Sequence, residues 1–217
     1  MKNKSLSAII IFAGFCLLAL VSQAHQPVVA LNETKIVVTE PEISKAFYGE
    51  LQGQPNFFTL HSDAPFNLYV NILVPNVPDV KKNISFEIRK DGQLLSAPDR
   101  ANFEWQNFYE PFAGDNYFQG PEFQIQAQPG DYEIKVFSPN NLGKYSLAIG
   151  ETESFPASTV WQAVITIPQI KKDFFGYSIF AAYLNQTMLL FIGIIIAISG
   201  IIWLLAWKCC KNKKLKK

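Results

Sequence analysis

The 217 residues suffice for one ordinary domain with extensions. With 49% apolar and 17% charged residues, the composition excludes an intrinsically disordered chain. The net charge of +1 hides a division that argues against a nucleic-acid binder. Residues 1–24 carry Lys2 and Lys4 and no acid, residues 208–217 carry six lysines and no acid, and the stretch between carries 11 basic residues and 18 acids.

Basic ends around an acidic middle suggest a membrane topology. Lys2 and Lys4, an uncharged run Ala8–Val21 and then Ser22-Gln23-Ala24 have the layout of a secretory signal peptide over 1–24. Val28-Val29-Ala30 offers an alternative cleavage point. Residues 25–34 are read as an extended N-terminal segment. From 35 to 150 the dominant period is two. Phe57–His61 and Phe66–Val74 are strand candidates, and Phe86 and Ile88 alternate with Glu87 and Arg89 before an Asp91-Gly92 turn. Phe123–Ala127, Tyr132–Val136 and Tyr145–Ile149 alternate as well, separated by Pro129-Gly130-Asp131 and Asn140-Asn141-Leu142-Gly143. Such alternation predicts half-buried antiparallel strands. Many short strands predict an all-β domain, a β-sandwich or jelly roll. No cysteine lies between 25 and 207, so this domain must rest on a hydrophobic core rather than on disulfides.

Residues 151–183 are read as a juxtamembrane stalk lying close to the membrane surface. Val160, Trp161, Val164, Ile165 and Ile167 suggest a short amphipathic segment ending near Pro168, and Lys171-Lys172-Asp173 a polar break. A transmembrane helix is expected over 184–207. Within it, Thr187–Trp207 is 21 residues without a charge, about 31 Å as a helix and matched to the hydrocarbon core. Aromatics from Phe174 to Tyr183 precede it, and Trp203 and Trp207 close it, as at two interfaces. The lysine tail, 208–217, is then cytoplasmic and the domain extracytoplasmic, a single-pass cell-membrane protein. Cys209 and Cys210 fall on the reducing side. Gly193, Ala197 and Gly200 form one small-residue face through which two copies would pack.

The last strands carry a resemblance. Asp131-Tyr132-Glu133-Ile134-Lys135-Val136 after Gly130, and Gly143-Lys144-Tyr145-Ser146-Leu147, resemble the closing strands of the bacterial pre-peptidase C-terminal type of β-sandwich over residues 123–150. The stretches AHQP, EPEISKAFYGEL and GDNYFQGPEF are similar to those of bacterial membrane-anchored proteins. The resemblance implies an envelope location and an accessory role, binding or domain packing, rather than catalysis.

The chemistry of the residues agrees with a non-enzymatic reading. His25 and His61 are the only histidines. His61-Ser62-Asp63 contains the letters of a triad, but neighbours on a strand point to opposite faces and cannot form the relay. No phosphate loop, Gly-x-Ser-x-Gly or His-Glu-x-x-His occurs. Cleavage after Ala24 would make His25 the first residue, whose amine and ring, joined by His61, would suit Cu(II). That copper-handling site is the alternative to a binding module. No other cofactor is suggested.

The stretch Phe103–Phe123 holds eight aromatics and four acids without a lysine or arginine. Its aromatics keep no single period, and Pro111, Gly114, Gly120 and Pro121 interrupt it, so it is read as a long irregular connection. Most of its rings, Phe112 among them, are expected to cap one open end of the core. Trp105, Tyr109 and Tyr117 would stack on a sugar or a protein partner's peptide, with Glu110 and Asp115 accepting hydrogen bonds.

Overall fold

The computed structural model describes residues 25–98, 103–110, 113–154, 156–184, 189, 192–193, 195–203 and 207. Among these, eleven strands form two sheets: β1 (Gln26–Ala30), β2 (Lys35–Val37), β3 (Lys45–Gln52), β4 (Asn56–Ser62), β5 (Phe66–Pro75), β6 (Ser85–Lys90), β7 (Gln93–Ser96), β8 (Gln106–Glu110), β9 (Asp115–Ala127), β10 (Gly130–Phe137) and β11 (Leu142–Ile149). The six-stranded sheet runs β1-β3-β11-β5-β9-β8 and the five-stranded sheet β2-β4-β10-β6-β7. Their strands pair antiparallel except β1 with β3 and β2 with β4.

The fold is the expected all-β sandwich. In β10, Tyr132, Ile134 and Val136 face inward, and Phe47, Phe58, Leu68, Ile72, Phe86 and Leu147 meet them from the other strands. Asp91 and Gly92 both have positive φ, 47° and 80°, the backbone that a two-residue hairpin between β6 and β7 requires. At the centre of β3 the Tyr145 ring lies against Gly49 across the strand pair, where any Cβ would sit 2.5 Å from its ring carbon.

Three segments differ from the sequence reading. Residues 26–30, within the segment read as extended and set apart from the domain, join its sheet as β1, an edge strand parallel to β3. Residues 103–123 are not an irregular connection. They contain β8 and the first half of β9, paired Gln106 to Gln119 through Glu110 to Asp115. The missing period has a cause. Between Asn71 and Leu73 the register to β9 jumps from Glu122 to Gln119, so β9 carries one extra residue at Gly120-Pro121. A bulge of this kind reverses the faces of everything beyond it. Phe123 and Ile125 therefore point into the sandwich, while Tyr117 points out of it. The carbonyls freed at Gly120 and Pro121 accept hydrogen bonds from the buried Asn71 side chain at 3.2 and 3.3 Å.

The third difference is the stalk. One compact unit contains all eleven strands and the chain up to Ala182. Helix α1 (Ala157–Gln169) packs on the outer face of the six-stranded sheet. Pro168 does not end it: a π-helical turn, Ile170–Phe174, follows directly. A proline withholds one i−4 hydrogen bond and loosens the ladder there. The wider turn directs Ile170, Phe174 and Phe175 onto Tyr48, Leu73, Tyr117 and Ala148. Lys171, expected in a polar break, is buried with them. Lys144 closes the end of the turn by donating to the carbonyls of Asp173 (2.7 Å) and Phe174 (3.2 Å).

Among the described residues no helix is long and apolar enough to cross a membrane. Of the expected membrane helix, residues 189, 192–193, 195–203 and 207 are described and helical. The expected leader, Phe112, and the lysine tail with Cys209 and Cys210 lie outside the described residues.

Candidate functional site

The outer face of the six-stranded sheet holds a small cavity. Register explains why its residues meet. One rung carries Tyr48, Ser146, Leu73, Gln119 and Gln106 in succession; the next carries Ala46, Ala148 and Asn71. The small side chains Ala46, Ser146 and Ala148 leave a hollow of about 130 Å³, walled by Tyr48, Tyr69, Phe108 and Tyr117 and edged by His25, Asn71, Glu110 and Gln119. A narrower extension of about 30 Å³ runs beneath α1, between His25, Tyr48, Glu110, Ala113 and Ile167.

The polar groups of the cavity are held in place. Tyr117 donates its hydroxyl proton to the Tyr48 oxygen at 3.3 Å. Burial raises the pKa of Tyr48 and Tyr117, and pushes Tyr69 to about 12, so all three phenols stay neutral hydrogen-bonding groups. The Glu110 carboxylate accepts the Ala113 amide at 2.7 Å, which fixes the β8–β9 turn beside the cavity. His25 bonds Ser44 through Nδ1. Burial lowers the pKa of His25, against the pull of Glu153 and Glu151. A cavity with aromatic walls and a few convergent polar groups is the usual form of a recognition site. Its volume is well below the roughly 300–1,000 Å³ of a small-molecule pocket, and is of the order of one side chain.

Comparison with known proteins adds the following. Among solved structures the chain is similar to the pre-peptidase C-terminal domain of a Bacillus anthracis collagenase, at 16% identity over 53% of this chain and 93% of that one, with a TM-score of 0.33. It is similar to CorA of Methylomicrobium album BG8, described as a surface-associated copper-binding protein, at 8% identity over 59% of this chain and 100% of that one (TM-score 0.31). It is also similar to a Paenibacillus barengoltzii β-glucosidase, at 8% identity over 58% of this chain and 13% of that one (TM-score 0.26). The first of these is a pre-peptidase C-terminal domain, the type of β-sandwich that the sequence reading named. These likenesses assign no function. No family model matches the chain, and no curated protein matches it.

Of the residues singled out in the sequence, His25, Glu110 and Tyr117 come together at the cavity. Tyr117 is buried and forms a wall, not an exposed stacking platform. Asp115 is buried against a cation: its Oδ1 lies 2.5 Å from Lys171 Nζ, with both side chains almost inaccessible (2% and 3%). Lys171 also donates to the Ala113 carbonyl at 2.7 Å. Trp105 is engaged elsewhere, its ring laid over Gly120 and edge-on to Phe103. Tyr109 is exposed on β8, the strand that ends the sheet.

His61 lies on the other sheet. It is exposed, 2.7 Å from Asp131 and 3.0 Å from Asp63, while the Ser62 hydroxyl donates to the Ala64 carbonyl. The three triad letters therefore form no relay. His61 edges a wider, open hollow of about 410 Å³ among charged strand residues. His25 and His61 sit on different sheets with no partner in common, so the structure does not join them in one copper site. Among the described residues no group of three or more His, Cys, Asp or Glu side chains is placed to hold a metal ion. Tyr48, Tyr69, Asn71 and Gln119 escaped the sequence reading, although in β5 the alternation of Leu68, Val70 and Ile72 with Tyr69, Asn71 and Leu73 marks an outer face rich in ring and amide.

Proposed function

We propose that the chain is a single-pass envelope protein whose extracytoplasmic sandwich is a non-catalytic module that binds a partner protein. In this reading residues 1–24 are removed, 184–207 span the membrane and 208–217 remain in the cytoplasm. Cleavage after Ala24 is favoured over cleavage after Ala30, because the latter would delete β1 from the sheet.

One observation supports the binding role above the rest: a tyrosine-walled cavity of side-chain size opens next to β8, the antiparallel strand at the sheet's end. An extended partner segment adding to such an edge gains main-chain hydrogen bonds, and alternate side chains fall on the outer face. There one of them would enter between Tyr69, Phe108 and Tyr117. A glycan fits less well, since the hollow is too small for a sugar ring with its hydration. Packing of Gly193, Ala197 and Gly200 between two membrane helices would place two such modules side by side.

The test is photo-crosslinking in intact cells, with a benzophenone residue at Tyr109 or Gln119 and, as control, at Thr59 on the opposite sheet. A discrete protein adduct from Tyr109 or Gln119 but not from Thr59 is the expected result. Adducts from none of the three, or equally from all, would remove the basis for the reading; a carbohydrate adduct would replace the protein partner with a glycan.

A further inference from the structure

Helix α1 has two apolar faces, and the sandwich accounts for one of them. Ala163 and Ile167 turn inward and pack with Ala113 and Ala182. On the opposite side Trp161, Val164 and Ile165 are exposed, the first and last at 69% and 65%. The helix ASTVWQAVITIPQ contains no charged residue. A helix at an aqueous surface carries polar and charged side chains on its outer face, whereas one lying in a membrane interface carries tryptophan and aliphatic residues there.

The apolar surface continues beyond α1. Ala182 packs in one cluster with Ala163 and Ile167, so the 3-10 helix Ile179–Tyr183 returns alongside α1. It brings Ile179 and Phe180, the latter 68% exposed, to the same region, with Tyr177 just before them. The chain sets the distance to the bilayer. Four residues lead from Tyr183 to Thr187, where the uncharged 21-residue run begins. Even fully extended they reach only about 15 Å. If that run spans the bilayer, the Tyr183 end of this surface is tethered within about that distance of the headgroups.

We infer that the outer face of α1, with Phe180, lies in the membrane interface and lays the sandwich down on the bilayer through its six-stranded sheet. The occupant of the surface is lipid. The inference rests on the spanning reading of 184–207, and it adds a second, monotopic contact made by the folded domain itself. It also orients the module: β8 and the tyrosine cavity, on the same sheet face as α1, would meet a partner at the membrane surface.

Tryptophan fluorescence tests this on the full-length protein in phosphatidylcholine–phosphatidylglycerol vesicles. Some vesicles carry lipid brominated near the headgroup. The wild type is compared with Trp161→Phe and with the double variant Trp203→Phe/Trp207→Phe. All three replacements are at exposed positions. Two separate lipid-quenched components are expected, one lost with Trp161→Phe and one with the double variant. If Trp161→Phe leaves the lipid-quenched fraction unchanged while the double variant abolishes it, the docking is overturned and the spanning helix stands. If neither variant changes it, both fall. Protection of Trp161 from aqueous acrylamide as well as from brominated lipid would assign the face to a protein or to a second copy, and would equally overturn the lipid.

Discussion

Replacing Lys171 with methionine leaves the Asp115 carboxylate buried without its cation. In the native protein Lys171 Nζ satisfies Asp115 Oδ1 and the Ala113 carbonyl together, while Asp115 Oδ2 has no hydrogen-bond partner. The pair ties the π-helical turn after α1 to the start of β9. Breaking a buried pair from one side costs about 3–5 kcal/mol. For a domain of this size each kcal/mol moves the melting temperature about 2–4 °C, so the drop should be roughly 6–20 °C.

The pH dependence follows from Asp115. Burial raises its folded pKa above 3.8, outweighing the lowering by Lys171. The folded state then binds the proton more tightly than the unfolded chain does, so this group's contribution declines as pH rises from 3.8 through the raised value. Without Lys171 that value rises further, and the variant should lose least in acid and most at neutral pH. Adding Asp115→Leu should recover most of the loss, since an apolar pair of similar volume can replace a buried ion pair. Circular-dichroism melts of the full-length protein in detergent, recorded at several pH values, are the assay. A single variant melting within 2 °C of wild type, or a double variant no better than the single, would refute the reasoning.

Other changes give distinct outcomes. Gly49→Ala drives a Cβ into the Tyr145 ring, whose hydroxyl is held by Asn56 at 2.8 Å, and should cost about 1–3 kcal/mol in denaturant titrations. The two histidines should tilt the pH profile in opposite senses. His25 is lowered by burial, so its contribution is present above 6.5 and is lost as pH falls through its folded value; His25→Gln should flatten the acid slope. His61 is raised by hydrogen bonds to Asp131 and Asp63, so its contribution is present below 6.5 and is lost as pH rises through its folded value; His61→Gln should remove a weak slope of the other sign. Protease added outside sealed cells should degrade the sandwich and spare an epitope on the lysine tail; a tail digested from outside would reverse the topology.

The strands that could be read in advance are those with one wet face. In β10, Glu133 and Lys135 mark the outside and Tyr132, Ile134 and Val136 the inside. Strand β3 gave no such signal, because the π-helical turn after α1 covers the outer face of a sheet whose inner face is core: Lys45–Gly49 are buried on both sides and alternation disappears. The bulge at Gly120-Pro121 hid the register of β9 and with it the wall role of Tyr117. Lys171 looked like a solvated break because a charge pair 56 residues apart leaves no local trace. Of the cavity, Glu110 and Tyr117 were legible through composition and His25 through its position behind the expected leader. The rest depends on which strands become neighbours.

In the proposed topology the position of α1 in the chain also orders events during export. Strand β11 ends at Ile149, whereas the residues that cover the outer sheet face, Ile170, Phe174 and Phe175, come more than twenty residues later. At about 5–20 residues per second of synthesis, the closed sandwich would wait roughly one to five seconds with Tyr48, Leu73 and Tyr117 uncovered. In the proposed topology the next segment to emerge is the stop-transfer run itself. Completion of the domain and arrest of translocation therefore fall almost together, and a chain stalled or truncated before residue 170 would present a bare apolar sheet to the chaperones and proteases of the envelope.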